Sequence, residues 1–172
     1  PDAERTRQGR LITLAATGLK SPGNPSFSIA DGGGGQTPRD FPTTFLSLNK
    51  SNKLKIPFVQ GKFNMGGSGA LQFCGRQNLQ LIVARRAPTL VDSAASTEDR
   101  SWGFTIVRRE DPRMGVRRSS EYRYLAPVGA QHNPEQGQVL SFRAEVWPIF
   151  PEGRDAYARE AHHGSLIKLY EY

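Results

Sequence analysis

Residues 26–37 read SFSIADGGGGQT, and this stretch decides how the chain is read. Phe27 and Ile29 alternate with Ser26, Ser28 and Ala30, the two-residue period of a strand with one apolar face turned inward. The strand ends at Asp31, so a carboxylate stands directly before four successive glycines at 32–35. Glycines have nothing to pack, and such a run calls for either backbone freedom or a closely approaching ligand. Working backwards, Leu11 to Thr17 reads as a second short strand, and the turn-forming GLKSPGNP at 18–25 predicts an antiparallel pair.

Working forwards, Phe41, Phe45 and Leu48 recur at helical spacing, which predicts a short helix over 42–48. Ile56 to Gln60 leads into GKFNMGGSG at 61–69, and ALQFCG continues as a predicted helix from about Ser68. Glycines therefore stand before a helix N-terminus. Leu79 to Arg85 and Trp102 to Arg108 are strands, with the polar linker APTLVDSAASTEDR between them. Tyr122 to Leu125, Val139 to Trp147 and Leu166 to Tyr172 are further strands, 127–138 is a polar loop, and Asp155 to Ala161 has the pattern of one or two helical turns. Together these elements predict an α/β fold: a two-layer sandwich with a mixed, mainly antiparallel sheet and helices on one face.

At 172 residues, with 37% hydrophobic and 23% charged residues, the chain is read as a single domain spanning 1–172. Its 18 Gly and 12 Pro imply many turns. The longest apolar runs, such as LIVA at 81–84, fall far short of the ~20 residues that span a bilayer, and the charged opening PDAERTRQGR has no apolar core of a secretory signal. The expectation is a cytoplasmic chain without a membrane partner. Cys74, the lone cysteine, sits between Phe73 and Gly75 and reads as a small buried thiol with no redox role.

The chemistry lies in one carboxylate followed by two glycine clusters. Asp31 at a strand end is placed to accept a hydrogen bond from an exocyclic amine such as that of adenine, and Gly33 and Gly35 let a base approach the backbone. The second cluster, Gly61, Gly66, Gly67 and Gly69, precedes a predicted helix whose free N–H groups and positive dipole end suit phosphates, with Lys53 and Lys62 adding charge. Singly, each cluster is an ordinary loop signal. Their order and spacing carry the reading.

At this point SIADGGGGQTP (28–38) resembles the D-x-G-x-G box of the GHKL ATPase superfamily (gyrase, chaperone, histidine kinase and MutL ATPases), and GKFNMGGSGAL (61–71) resembles its second glycine box. HGSLIKLYEY (163–172) is similar to the late Gly-Thr box, with Ser165 supplying the hydroxyl that helps the aspartate hold adenine. The stretch 44–69 looks closest to large bacterial proteins carrying such an ATPase domain. The resemblance is dense over 26–86 and thin over 87–163. It implies that Asp31 contacts the adenine amine, that Gly33 and Gly35 floor the base pocket, and that the loop from Gly61 to Gly69, with Lys62, Asn64, Met65 and Ser68, closes over the phosphates, with Lys53 as a further phosphate contact. ATP is the implied cofactor, and nucleotide ordering of the loop would gate homodimerisation or a neighbouring effector domain.

The departures are equally informative. The superfamily sets a water-activating acid and a magnesium-holding asparagine on a helix just before the first strand. Here only PDAERTRQGR precedes Leu11, with Glu4 followed by Gln8. The chain is accordingly read as a piece of a longer protein, not hydrolytic by itself, with Mg2+ entering only if that helix is supplied upstream, and no residue is given a catalytic role. Asn64 replaces a glycine, Ser165 a threonine and Gly32 an asparagine.

Lys and Arg exceed Asp and Glu by seven, and Arg108, Arg109, Arg113, Arg117, Arg118 and Arg123 crowd one stretch. A rival reading makes the chain an interaction module that binds protein or nucleic acid through 108–123; Glu110, Asp111 and Glu121 dilute that patch, and no aromatic-interleaved strand accompanies it, so nucleic acid is not the favoured partner. His132, His162 and His163 lack metal-ligand spacing, so no metal site is expected. Trp102, Phe142, Trp147 and Phe150 read as core.

Overall fold

The computed structural model describes residues 2–9, 11–18, 25–47, 69–116, 118–127, 139–148 and 160–172. One helix, α1 (Asp2–Gly9), leads into β1 (Ile12–Thr17) and β2 (Ser26–Asp31). β3 (Leu79–Arg85), β4 (Trp102–Glu110), β5 (Glu121–Tyr124) and β6 (Leu140–Phe142) follow, then the short β7 (Trp147–Pro148) and β8 (Glu160–Ala161), and last β9 (Gly164–Leu169). The main sheet runs β1-β2-β9-β3-β4-β5, with β6 also on β4, and β7 and β8 pair separately. Every pairing is antiparallel. The expected antiparallel β1–β2 pair is present with Leu14 opposite Ile29, and β3 has its expected bounds.

Four expectations are corrected. The first is the fold class: among the described residues there is no layer of helices on one face, so the molecule is not a two-layer α/β sandwich but a mostly antiparallel sheet. α1 buries none of its residues. Second, the helix expected over 42–48 is replaced by a 3-10 turn, Pro38–Thr43. Pro38 and Pro42 offer no N–H, and the Asp40 carbonyl is taken by the Thr43 and Thr44 hydroxyls, so a longer α-helical ladder cannot build. The helix expected from Ser68 shows Gly69 and Ala70 as helical, tightens into the 3-10 turn Leu71–Phe73, and stops at Gly75, whose φ is +52°.

Third, β2 turns the face opposite to the expected one inward. Ser28 and Ala30 are buried while Ile29 is 42% exposed. The cause is the neighbour on the other face: Ala30 packs with Val83, Trp102 and Leu166, and a bulky aromatic cluster outcompetes the simple polar-apolar alternation of β2. Fourth, the strand expected over 139–147 is broken between β6 and β7, because the carbonyls of Ala144 and Glu145 turn aside to accept hydrogen bonds from Arg85. Of the expected helical turns over 155–161, residues 155–159 lie outside the described residues, and Glu160–Ala161 is strand.

Both faces of the sheet carry a core. On one, Phe41, Leu71, Ile82, Ala84, Val107 and Val139 pack with Phe45 and Leu46, so the two 3-10 turns act as the lid. On the other, Ala30, Val83, Trp102 and Leu166 pack with Phe104, Phe142, Trp147 and Ala161, bringing in the β6 and β7 segments. Trp102 is 1% exposed, its indole N–H donates to the Ala144 carbonyl at 3.2 Å, and its ring lies 6.4 Å from that of Trp147. These aromatics are core, as the sequence indicates; Phe150 lies outside the described residues.

Candidate functional site at the end of β2 and β9

β2 and β9 pair so that Asp31 lies directly opposite Ser165. Cross-strand partners share a face, so the carboxylate and the hydroxyl stand side by side. Ser165 in turn pairs with Ala84, and Ala84 with Gly103, a row that continues onto the Phe41 core. Asp31 is exposed and Ser165 half-buried. Two residues 134 positions apart in the sequence are thus joined by register alone.

The glycines are what allow this approach. Gly164 has a φ of +113°, and a Cβ there would stand 2.0 Å from the Asp31 carbonyl oxygen. Gly35, at +57°, would meet the Arg85 carbonyl oxygen at 1.9 Å. No side chain fits at either point, and both backbone angles disfavour one. The glycine run is also pinned rather than loose. Gly33 N–H donates to Asp31 Oδ1 at 2.9 Å, closing an Asx turn, and the Gly33 carbonyl lies 3.0 Å from His163 Nδ1. Because a carbonyl only accepts, that nitrogen carries the proton. Ala87 N–H donates to the Gly34 carbonyl at 2.9 Å, and an Arg86 Nη1–H donates to the Gly35 carbonyl at 3.0 Å.

α1 is tied to the same corner. Leu11 N–H donates to the Gln8 carbonyl, and Gly32 N–H donates to the Leu11 carbonyl at 2.7 Å. Its Glu4 carboxylate accepts from Arg7 Nε and Nη2 and from Gln8 Nε2. The Arg7 hydrogen bonds, then that from Gln8, hold Glu4 below the usual carboxylate range. A carboxylate stabilised as its anion is a weakened base, the reverse of what activating water requires.

Of the residues expected to bind nucleotide, Asp31, Gly33, Gly35 and Ser165 are brought together here. Gly69 is described and lies apart, exposed at the turn into Leu71–Phe73. Lys53, Gly61, Lys62, Asn64, Met65, Gly66, Gly67 and Ser68 lie outside the described residues. The sequence reading did not single out Gly164, His163 or Arg86. The first stands in the same HGS box as Ser165, so that box carried the signal, and the last follows directly on an apolar strand, where a polar side chain at a strand end is placed to cap a neighbouring loop.

Elsewhere, two arginines of the arginine-rich stretch are held in ion pairs. Arg109 pairs with Asp111 at 3.0 Å, and Arg123 stands between Glu121 at 3.2 Å and Glu110 at 3.7 Å. Cys74 is buried, its thiol contacts the Ala70 carbonyl, and burial pushes it up from its ordinary range, with a backbone hydrogen bond at Tyr170 acting in the opposite direction. Among the described residues, no group of three or more His, Cys, Asp and Glu is placed to hold a metal, and no helix is long and apolar enough to cross a membrane.

Compared with known proteins, the chain matches no family model and no curated protein.

Proposed function

We propose that the chain binds an adenine nucleotide, with the base at the corner between Asp31 and Ser165, as a GHKL-related ATP-binding protein. The observation that carries this reading is the register of Asp31 opposite Ser165, with Gly164 allowing the two strands to meet there. An ionised carboxylate is acceptor-only, and a serine hydroxyl both donates and accepts. Adenine presents the complementary edge, an exocyclic amine that donates beside a ring nitrogen that accepts. Asp31 Oδ1 is occupied by Gly33 N–H, which fixes the carboxylate and points its other oxygen to a single use.

The reading rests on this corner and not on the architecture, in which no helical layer stands among the described residues. The Arg7 and Gln8 hydrogen bonds hold Glu4 as its anion, a weakened base, so no water-activating role is assigned to it. The function is therefore nucleotide binding without hydrolysis by the chain alone. Phosphate contacts from Lys53 and the 61–69 loop, and gating of dimerisation or of an effector domain, belong to the same proposal.

The rival reading, nucleic-acid or protein binding through 108–123, is weakened by the ion pairs that consume Arg109 and Arg123. Calorimetric titration with a non-hydrolysable ATP analogue, with and without magnesium, separates the two. Binding that is lost in Asp31→Asn supports the adenine corner; equal affinity in the variant and the parent chain sinks it.

A further inference from the structure

On the face of the sheet opposite Asp31, a cleft has no part in the proposed adenine corner. Among the described residues it is lined by Arg85, Thr97, Arg100, Ser101, Arg143 and the Ala144–Glu145 turn, and its volume is about 410 Å³. That is within the range of small-molecule sites. Its accessible surface is more apolar than polar, and three arginines stand among the residues that line it.

Arg85 is fixed in an unusual way. Its Nε–H donates to the Arg100 carbonyl at 2.9 Å, and Nη1 reaches the carbonyls of Ala144 at 3.0 Å, Glu145 at 3.1 Å and His162 at 3.3 Å. Every one of these partners is a neutral dipole, so the side chain is held while its charge has no ion pair among the described residues. Its Nη2 has no partner among the described residues, which leaves two N–H donors on a rigid fork. Arg100 is held similarly, by Nη2 to the carbonyls of Asp92 and Ser93, both at 3.0 Å. Arg143 is exposed and makes no ion pair among the described residues. Among the described residues, Glu145 is the one carboxylate in the lining and makes no ion pair with the three arginines.

Three cations against one anion leave the cleft with two net positive charges, and fixed guanidinium forks match the oxygens of a phosphate in geometry as well as in sign. We propose that this cleft binds a phosphate group, either as the free anion or as the phosphate of a small ester, independently of the adenine corner.

The test uses the whole chain at low salt, titrated with inorganic phosphate and separately with ribose 5-phosphate. Binding of either supports the proposal if Arg143→Ala weakens it about tenfold, the loss of one charge-assisted contact, with the melting temperature unchanged. Glu145→Gln removes the opposing charge and should tighten it severalfold, while Asp31→Asn leaves it as it was. Tighter binding of the ester identifies an esterified ligand, and equal binding the free anion. No binding of either probe at roughly 10 mM, or binding indifferent to Arg143 and Glu145, overturns the proposal. Arg85→Ala is a poorer probe, since it also removes the hydrogen bonds that tie three segments together.

Discussion

Ala84 and Arg85 are neighbours in sequence and stand on opposite faces of β3. Ala84 continues a row of Asp31 and Ser165, a face that ends in oxygen atoms. Arg85 lies on the Trp102 side and presents nitrogen donors to a cleft. A single step along a strand thus separates an acceptor-rich end from a donor-rich one, because successive side chains point to opposite faces. Backbone packing creates the first, by bringing β9 against β2 at a glycine. Side-chain hydrogen bonding creates the second, by tying Arg85 to three other segments. The two should therefore fail under different substitutions.

The largest effect is expected from Trp102→Ala. It empties a fully buried site on the arginine side and frees the Ala144 carbonyl that the indole shares with Arg85, so unfolding free energy should fall by about 4 kcal/mol in a denaturant titration. A loss below about 1 kcal/mol would show that this cluster is not the core it is taken to be. Gly164→Ala strikes the other face. Its Cβ would collide with the Asp31 carbonyl and its φ is strained, so a loss of about 3 kcal/mol is expected, together with nucleotide binding. Anion binding at the arginine cleft in whatever folded protein remains would confirm that the two faces are separable.

A smaller effect concerns the turn beneath the acceptor-rich face. Burial pushes both the Cys74 thiol and the Tyr170 phenol up from their ordinary ranges. The folded state then holds these protons more tightly than the unfolded one, so the associated stability is complete below the unfolded values and declines as pH rises through and beyond roughly 8.5 to 10. Thermal melts across that range should show the decline reduced in Cys74→Ala. The smallest effect belongs to Arg123→Ala in the β4–β5 hairpin. Its side chain is 62% exposed, and removing its two ion pairs should cost less than about 1 kcal/mol. A steep loss of DNA affinity in that variant would instead favour the rival reading.

The strands were legible because their signal is local. Alternation and β-branched content placed β1, β3 and β4 close to their observed bounds, and the D-x-G-x-G stretch with the HGS box named both members of the Asp31–Ser165 pair. What was not legible depended on competition between distant segments. Phe41, Phe45 and Leu48 have helical spacing, but Pro42 and two threonine hydroxyls aimed at one carbonyl decide against the helix. Ile29 has the apolar side chain, yet Ala30 is inside, because Trp102 and Leu166 need a small residue above them. Arg85 looked like the polar end of a strand, and only the folded chain shows that four carbonyls from three segments meet there. The helical layer was expected from the helical readings of 42–48 and of the stretch after Ser68; the turns that cover the Phe41 side are too short and too rich in proline to form it.

The most direct test of the account is the affinity of the chain for a non-hydrolysable ATP analogue and for the corresponding GTP analogue, each measured before and after Asp31→Asn. A carboxylate that accepts from the adenine amine beside a hydroxyl that donates to the adjacent ring nitrogen predicts tighter binding of the adenine compound, weakened by about tenfold in the variant, the scale of one charge-assisted hydrogen bond. Equal binding of the two nucleotides, or an affinity indifferent to Asp31→Asn, would contradict the assignment of the β2–β9 corner as the base-binding site.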